Sequence, residues 1–280
     1  WTSGNPGRTK AKEAAEVFSG LVAYPKFNQS EIDKHGKLTD WNDYHQIYGL
    51  NAVRKSLQHK INKVKRNRSL FSDITDLTKN ISAPNYLIEE LIELDTNGAI
   101  IGASSVGKSF VAISMAASVA TGTMFAGKDV QQGAVLYLAG EGVKGISRRF
   151  SGWMQHTGIP IPKGSLHVSN KTIFMTEEGA LTLLAATEDM DQEIKLVVID
   201  TLARHMTGDE NSNKEMSAFI ALVDNIREEH GCTVLIIHHT GHSSDNSNRA
   251  RGASAFYASL DFEFLMKGNK KGTGTIEGTK

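Results

Sequence analysis

Asn97-Gly98-Ala99-Ile100-Ile101-Gly102-Ala103-Ser104-Ser105-Val106-Gly107-Lys108-Ser109 decides the fold. Its apolar first half reads as a short strand, its second half as Gly-x-x-x-x-Gly-Lys-Ser, and the Ala-rich run from Phe110 to about Ala120 has a helical pattern. Strand, loop and helix in this order are what a phosphate-binding loop requires. Backbone N–H groups from Gly102 through Ala103, Ser104, Ser105 and Val106 to Lys108 would wrap a β-phosphate. Gly102 and Gly107 fall where a Cβ would obstruct that wrap or force an unfavourable φ. The helix beginning at Phe110, which completes the nucleotide-binding set, aims its N-terminus at the same anion. Lys108 offers a point charge to the β- and γ-phosphates, and the Ser109 hydroxyl would complete a Mg²⁺ shell of phosphate oxygens and water.

Composition bounds the partners. The 280 residues carry 31 basic and 31 acidic side chains, so no net charge draws the whole chain to nucleic acid. No apolar run approaches the roughly 20 residues that span a bilayer, and Cys232, the one cysteine, rules out an internal disulfide. A cytoplasmic, reducing location and no membrane partner are expected, with Cys232 a small buried group before a strand. The start at Trp1 is neither a signal peptide nor an initiator methionine, and Thr273 to Lys280 reads as a strand cut off before its turn. Both suggest a piece of a longer chain. Between Asp43 and Asp73 there is no acidic residue, while Arg54, Lys55, Lys60, Lys63, Lys65, Arg66 and Arg68 all occur there. That stretch reads as a phosphate-contacting arm or a solvated linker helix; no aromatic is interleaved to stack on bases.

The chain divides into a segment 1–57, a basic linker 58–85 and an α/β domain 86–280. In the first, a helical pattern from Ala11 to Phe18 precedes a strand-like Gly20 to Tyr24 that ends at Pro25, and Asp40 opens a helix through about Leu57. From Tyr86 strands alternate with helices. The strands are expected at 97–102, 133–139, near 166–168, 193–200 and 233–238, with helices at 177–186 and 214–229 between them. Their near-continuous apolar runs imply a mostly parallel sheet, buried on both faces and joined by right-handed crossovers. Asp261 to Lys267 and Thr273 to Glu277 read as an antiparallel hairpin at one edge.

Ligands of parallel α/β sheets bind beyond the carboxyl ends of the strands. Four such ends suit one nucleotide: the phosphate loop, Glu141, Asp200 and His238-His239. Asp200 fits a Walker B carboxylate holding a Mg²⁺-bound water, and Glu141, between two glycines, is the candidate to polarise the attacking water. His238-His239-Thr240-Gly241-His242 lacks the spacing of a zinc site, and adjacent residues at a strand end face opposite ways. One histidine, His239 in preference, would sense the γ-phosphate while the other packs. The loop from Gly241 to Gly252 contains Arg249 and Arg251, which would engage nucleic-acid phosphates. Alternatively one of them would neutralise charge at a neighbouring subunit's nucleotide. Arg204 opens a second polar loop, through Lys214, and together the two loops would line a channel.

These motifs resemble known families. Gly-Ala-Ser-Ser-Val-Gly-Lys-Ser, Leu-Ala-Gly-Glu-Gly, Val-Val-Ile-Asp-Thr-Leu-Ala-Arg, Asp-Glu-Asn-Ser and His-His-Thr-Gly with a later Arg-Gly look like the RecA-like ATPase core of plasmid RepA-type replicative helicases and phage primase-helicases. The resemblance covers residues 86–280. It implies a RecA-like P-loop NTPase working with ATP and Mg in plasmid or phage DNA replication. It also implies a ring, taken as a hexamer, with ATP between subunits and single-stranded DNA in the hole. It makes Glu141 the catalytic base, with Lys108, Ser109 and Asp200 on Mg·ATP, and leaves Arg251 as finger, DNA contact or neither. Asn5-Pro6-Gly7-Arg8-Thr9-Lys10-Ala11 and Asp40-Trp41-Asn42-Asp43 are similar to the closing part of a Toprim primase domain. The family's metal-binding Asp-x-Asp would fall before Trp1, so primer synthesis is not expected, and Asp40 and Asp43 read equally as helix caps. A DNA-translocating helicase motor is therefore expected. The alternative is a non-unwinding, nucleotide-gated DNA-binding or regulatory ATPase; a small-molecule phosphotransferase is a third reading, with no substrate pocket or lid arginines evident.

Overall fold

The computed structural model describes residues 10–11, 13–15, 22–25, 27, 29–36, 38–54, 56–57, 73–79, 83–140, 142–187, 190, 192–240, 254–268 and 274–280. The chain forms two compact units, Trp1–Ile81 and Ser82–Lys280.

In the first unit, α1 (Gln29–His35) and α2 (Trp41–Tyr48) are helices. Asp40 caps α2: its carboxylate accepts from the Asn42 and Asp43 amides at 2.9 and 3.0 Å, and Asp43 answers by accepting from the Thr39 amide at 2.7 Å. Both carboxylates are therefore occupied as helix caps. Tyr44 is the buried side chain of α2, its ring 5.5 Å from Trp41 and 4.5 Å from Tyr48. The expected strand 20–24 does not form across 22–24. Ala23 instead gives its carbonyl to the Trp41 indole at 3.2 Å, a side-chain anchor where a ladder would need a second strand. The expected helix through Leu57 is interrupted at Gly49, whose φ of 81 closes α2, and resumes over 50–54 and 56–57. Within the stretch expected as linker, Ile74–Lys79 is a short helix, α3, started by Asp73 accepting from the Thr75 amide at 2.8 Å.

The second unit is built on a seven-stranded sheet. Its strands are β3 (Asn97–Gly102), β4 (Ala134–Ala139), β5 (Leu166–Val168), β6 (Ile194–Asp200), β7 (Thr233–His239), β8 (Phe262–Gly268) and β9 (Gly274–Gly278), in the order β5-β4-β6-β7-β3-β8-β9. All neighbours are parallel except the last pair. A period of two sorts the side chains: Ala99, Ile101, Val197 and Ile199 point into one core, Ile100, Leu196 and Val198 into the other. On the second face lie α4 (Lys108–Thr121) and α5 (Val143–Thr157), and on the first lie α6 (Glu177–Thr187), α7 (Leu202–His205), α8 (Asn213–His230) and α9 (Ser254–Ser259). Cys232 is fully buried against the first core.

Two of the following features depart from the sequence reading and one agrees with it. A small antiparallel pair, β1 (Tyr86–Ile88) and β2 (Ile92–Glu93), precedes the sheet and buries Leu87, Ile88 and Ile92 in the second core. The expected antiparallel hairpin, β8 and β9, does lie at one edge of the sheet, with β8 joined in parallel to β3 and β9 outermost. Arg204 belongs to α7, whose Leu202 and His205 are fully buried, so the second polar loop starts only after it.

Burial against β9 also sets a titration. Glu263, 1 % exposed, accepts from the Thr279 hydroxyl at 2.7 Å, while its second oxygen has no hydrogen-bond partner among the described residues. Desolvation raises its pKa above the ordinary 4.5, opposed by the Thr279 bond and the charge of Lys280. The folded chain thus holds this proton more tightly than the unfolded one. The resulting stability is complete below the ordinary carboxyl value and is lost as pH rises through the raised one. Glu263→Gln should lose less stability than wild type between about pH 4 and pH 7. Urea melts at the two pH values check this, and equal losses would refute it.

Candidate functional site

Parallel pairing brings four strand ends to one edge, with Gly102 beside His239 and Ala139 beside Asp200. Beyond Gly102 the loop turns through positive φ at Ser105 (64) and Gly107 (100), and Gly107 is the N-cap of α4. Left-handed turns of this kind curl backbone amides into a concave anion cradle, and the α4 N-terminus faces it. Gly102 itself has φ 155, and a Cβ there would sit 2.4 Å from the Met266 carbonyl oxygen on β8. The constraint on this glycine is therefore a neighbouring strand as well as the wrap.

Lys108 is 5 % exposed and lies at the centre. Its ammonium donates to the carbonyls of Gly102 and Ala103 at 2.9 and 2.7 Å and stands 3.3 Å from His239 Nδ1. Burial pushes its pKa down to about 8, and the charge of Asp200 works the other way. The Ser104 hydroxyl is 3.4 Å from the same His239 nitrogen. The adjacent His238 is fully buried and edge-on to Phe256, with ring centroids 5.2 Å apart. Adjacent strand residues thus take opposite faces, one against the phosphate loop and one in the core.

Asp200, 6 % exposed, ends β6 and accepts a 2.6 Å hydrogen bond from the Tyr137 hydroxyl. Sequence reasoning passed over Tyr137. Its only signal is a hydroxyl in the otherwise apolar run Ala134–Ala139, and its partner is 63 residues away. His205 was also missed. It is fully buried, donates through Nδ1 to the Ile173 carbonyl (2.8 Å), and burial depresses its pKa. The Gly140 amide donates to the Asp200 carbonyl at 2.6 Å, and a Cβ on Gly140 would meet Arg204 Cβ at 2.4 Å. Arg204 is exposed beside that turn. Glu141, Arg249 and Arg251 lie outside the described residues.

Ser109, half-buried in the first turn of α4, and Asp200 present hard oxygen donors, which match Mg²⁺. No group of three or more His, Cys, Asp or Glu side chains suited to a metal occurs among the described residues. Among them, too, no helix is long and apolar enough to cross a membrane.

A parallel sheet of this order, with a phosphate loop after β3 and a carboxylate ending β6, defines a RecA-like P-loop ATPase. Residues 63–245 match the family described as AAA domain, and the chain belongs to that family. Among solved structures, a KaiC-like protein from the hyperthermophilic archaeon Pyrococcus horikoshii is 11 % identical, with 72 % of this chain and 88 % of that one covered and a TM-score of 0.48.

Proposed function

We propose that this chain is a DNA-translocating motor, the helicase part of a primase-helicase, driven by hydrolysis of ATP. The observation that carries the reading is the position of His239. It touches the phosphate-loop lysine and sits at the end of β7, from which the chain continues into the polar 241–253 segment. A side chain that contacts the γ-phosphate at this point transmits its presence directly to Arg249 and Arg251, which contact DNA or an adjacent subunit's nucleotide.

Lys108 holds the β- and γ-phosphates, trading its two carbonyl partners for phosphate oxygens. Ser109 and Asp200 hold Mg²⁺, which when bound neutralises charge on the phosphates. The Tyr137 hydroxyl fixes the Asp200 carboxylate in position. Glu141 takes a proton from the attacking water. The chain assembles as a ring, with single-stranded DNA between the 206–212 and 241–253 segments of its subunits. The first unit, with its Toprim-like motifs, ties the motor to replication.

Single-stranded DNA should stimulate ATP hydrolysis about tenfold. Glu141→Gln should cut turnover by about 10²–10³ while ATP still binds. Equal rates with and without DNA would refute the motor. A DNA-stimulated enzyme that displaces no strand from a forked duplex would instead be a nucleotide-gated DNA-binding ATPase.

A further inference from the structure

Sealing an imidazole inside a core is unfavourable unless its nitrogens are used, and the ring of His205 is fully buried with no hydrogen-bond partner at Nε2 among the described residues. Its tie is at Nδ1, whose N–H donates to the Ile173 carbonyl at 2.8 Å. The backbone makes the return contact, the Met175 amide donating to the His205 carbonyl at 2.7 Å. Residues 169–176 lie outside helix and strand, so the Ile173 carbonyl has no ladder to join. Even so, the segment is anchored. The Thr176 hydroxyl accepts from the Gly179 amide at 3.1 Å, the Thr176 carbonyl accepts from the Ala180 amide at 2.8 Å, and Met175 is buried in the first core with Leu183 of α6. At four residues α7 is too short to hold its place by its own hydrogen bonds, so its position is set by what it is tied to. It begins two residues after Asp200 and ends at His205. Between these, Arg204 packs on the turn after β4: a Cβ at Gly140 would lie 2.4 Å from the Arg204 Cβ, and the Gly140 amide donates to the Asp200 carbonyl at 2.6 Å. Gly140 directly precedes Glu141 in the chain. The carbonyls of Leu138 and Asp200 pull the His205 pKa upward against the burial that lowers it, which puts the ring beneath the ends of both β4 and β6.

We propose that His205 is a positioning residue for ATP hydrolysis: by tying α7 to the segment that opens α6, it fixes the contact between Asp200 and Gly140, and through Gly140 the place of the Glu141 carboxylate at the attacking water. The inference rests on Glu141 acting as the base and adds what holds the turn that carries it. The Nδ1 donor is the specific requirement. An apolar side chain would fill the same space and leave the Ile173 carbonyl unpaired in the core, so α7 would lose its tie without losing its packing. Small displacements of that kind act on turnover, because proton transfer from water depends on where the base stands. Nucleotide affinity is set elsewhere. The phosphate loop follows β3, which β6 and β7 separate from β4, and none of its contacts runs through α7.

Steady-state hydrolysis of Mg·ATP by the full chain, with hydrogen exchange on the same proteins, tests this. His205→Leu keeps apolar bulk and lacks the donor; kcat should fall about tenfold with KM within about threefold of wild type. His205→Asn places an amide N–H where Nδ1 stood and should return kcat to within about threefold of wild type. His205→Gln, whose amide reaches toward the Nε2 position, should not. In a Glu141→Gln background the leucine change should lower kcat by less than about twofold more. Exchange at the Gly140 and Met175 amides should quicken about tenfold in His205→Leu and stay near wild type in His205→Asn, a readout that needs no turnover. Wild-type kcat in His205→Leu, equal kcat in the leucine and asparagine variants, or unchanged exchange at both amides would overturn the positioning role. A tenfold loss that persists in the Glu141→Gln background would overturn the link to Glu141. Wild-type turnover in Glu141→Gln alone would instead overturn the base assignment on which the inference stands.

Discussion

Lys108→Met should abolish ATP hydrolysis, a loss of at least about 10³-fold, while the protein stays folded and becomes less sensitive to alkaline pH. The ammonium sits where strand ends converge, held by two loop carbonyls and pulled toward the charge of Asp200. Methionine matches its length and carries no charge to a phosphate. The wild-type lysine has a pKa of about 8, against 10.5 for the ordinary side chain. Below pH 8 it is charged in both folded and unfolded chains, and the full cost of burying the charge is felt. As pH rises from 8 toward 10.5 the folded protein releases the proton first, so wild-type stability increases through that window. The displacement corresponds to about 3 kcal/mol, and the methionine variant lacks it. Denaturant melts at several pH values alongside nucleotide titrations would show both effects. Parallel pH profiles for the two proteins, or retained hydrolysis, would refute this account of the lysine.

Gly102→Ala should be the most damaging single methyl in the loop. Its Cβ would sit 2.4 Å from the Met266 carbonyl oxygen and 3.2 Å from Val106, at a backbone φ of 155. The oxygen belongs to β8, which is paired with β3 through Gly102 and Met266 themselves, so relief requires breaking that ladder. A loss of roughly 3 kcal/mol or more is expected, with ATP affinity reduced over tenfold because the cradle opens. Gly107→Ala is the useful contrast. There the nearest atom is the Met266 methyl at 3.1 Å, the end of a flexible side chain, and mainly the φ of 100 is strained. About 1 kcal/mol is expected. Equal losses for the two variants would show that backbone conformation, and not the neighbouring strand, sets the requirement at Gly102.

Much of the ATPase unit was legible in the sequence because its signals are local. Six-residue apolar runs such as Ala134–Ala139 announce strands buried on both faces, and the spacing from Gly102 to Ser109 is meaningful only as a loop between strand and helix. The first unit was less legible. The run ending at Tyr24 has strand composition, yet its Ala23 carbonyl serves the Trp41 indole 18 residues away, and composition carries no information about such a partner. Likewise the helical period from Trp41 onward gave no weight to the φ of 81 at Gly49.

The sequence by itself determined the parallel α/β class, the phosphate loop and the set of strand ends that bear polar groups, since periodicity and glycine spacing are properties of consecutive residues. Only the tertiary structure decided that β6 and β7 lie between β4 and β3, that Tyr137 holds Asp200, that His239 and not His238 reaches Lys108, and that Met266 forbids a side chain at Gly102. Each of these depends on which strand lies beside which. That choice is made by burying two whole faces of a sheet at once, not by any stretch of chain on its own.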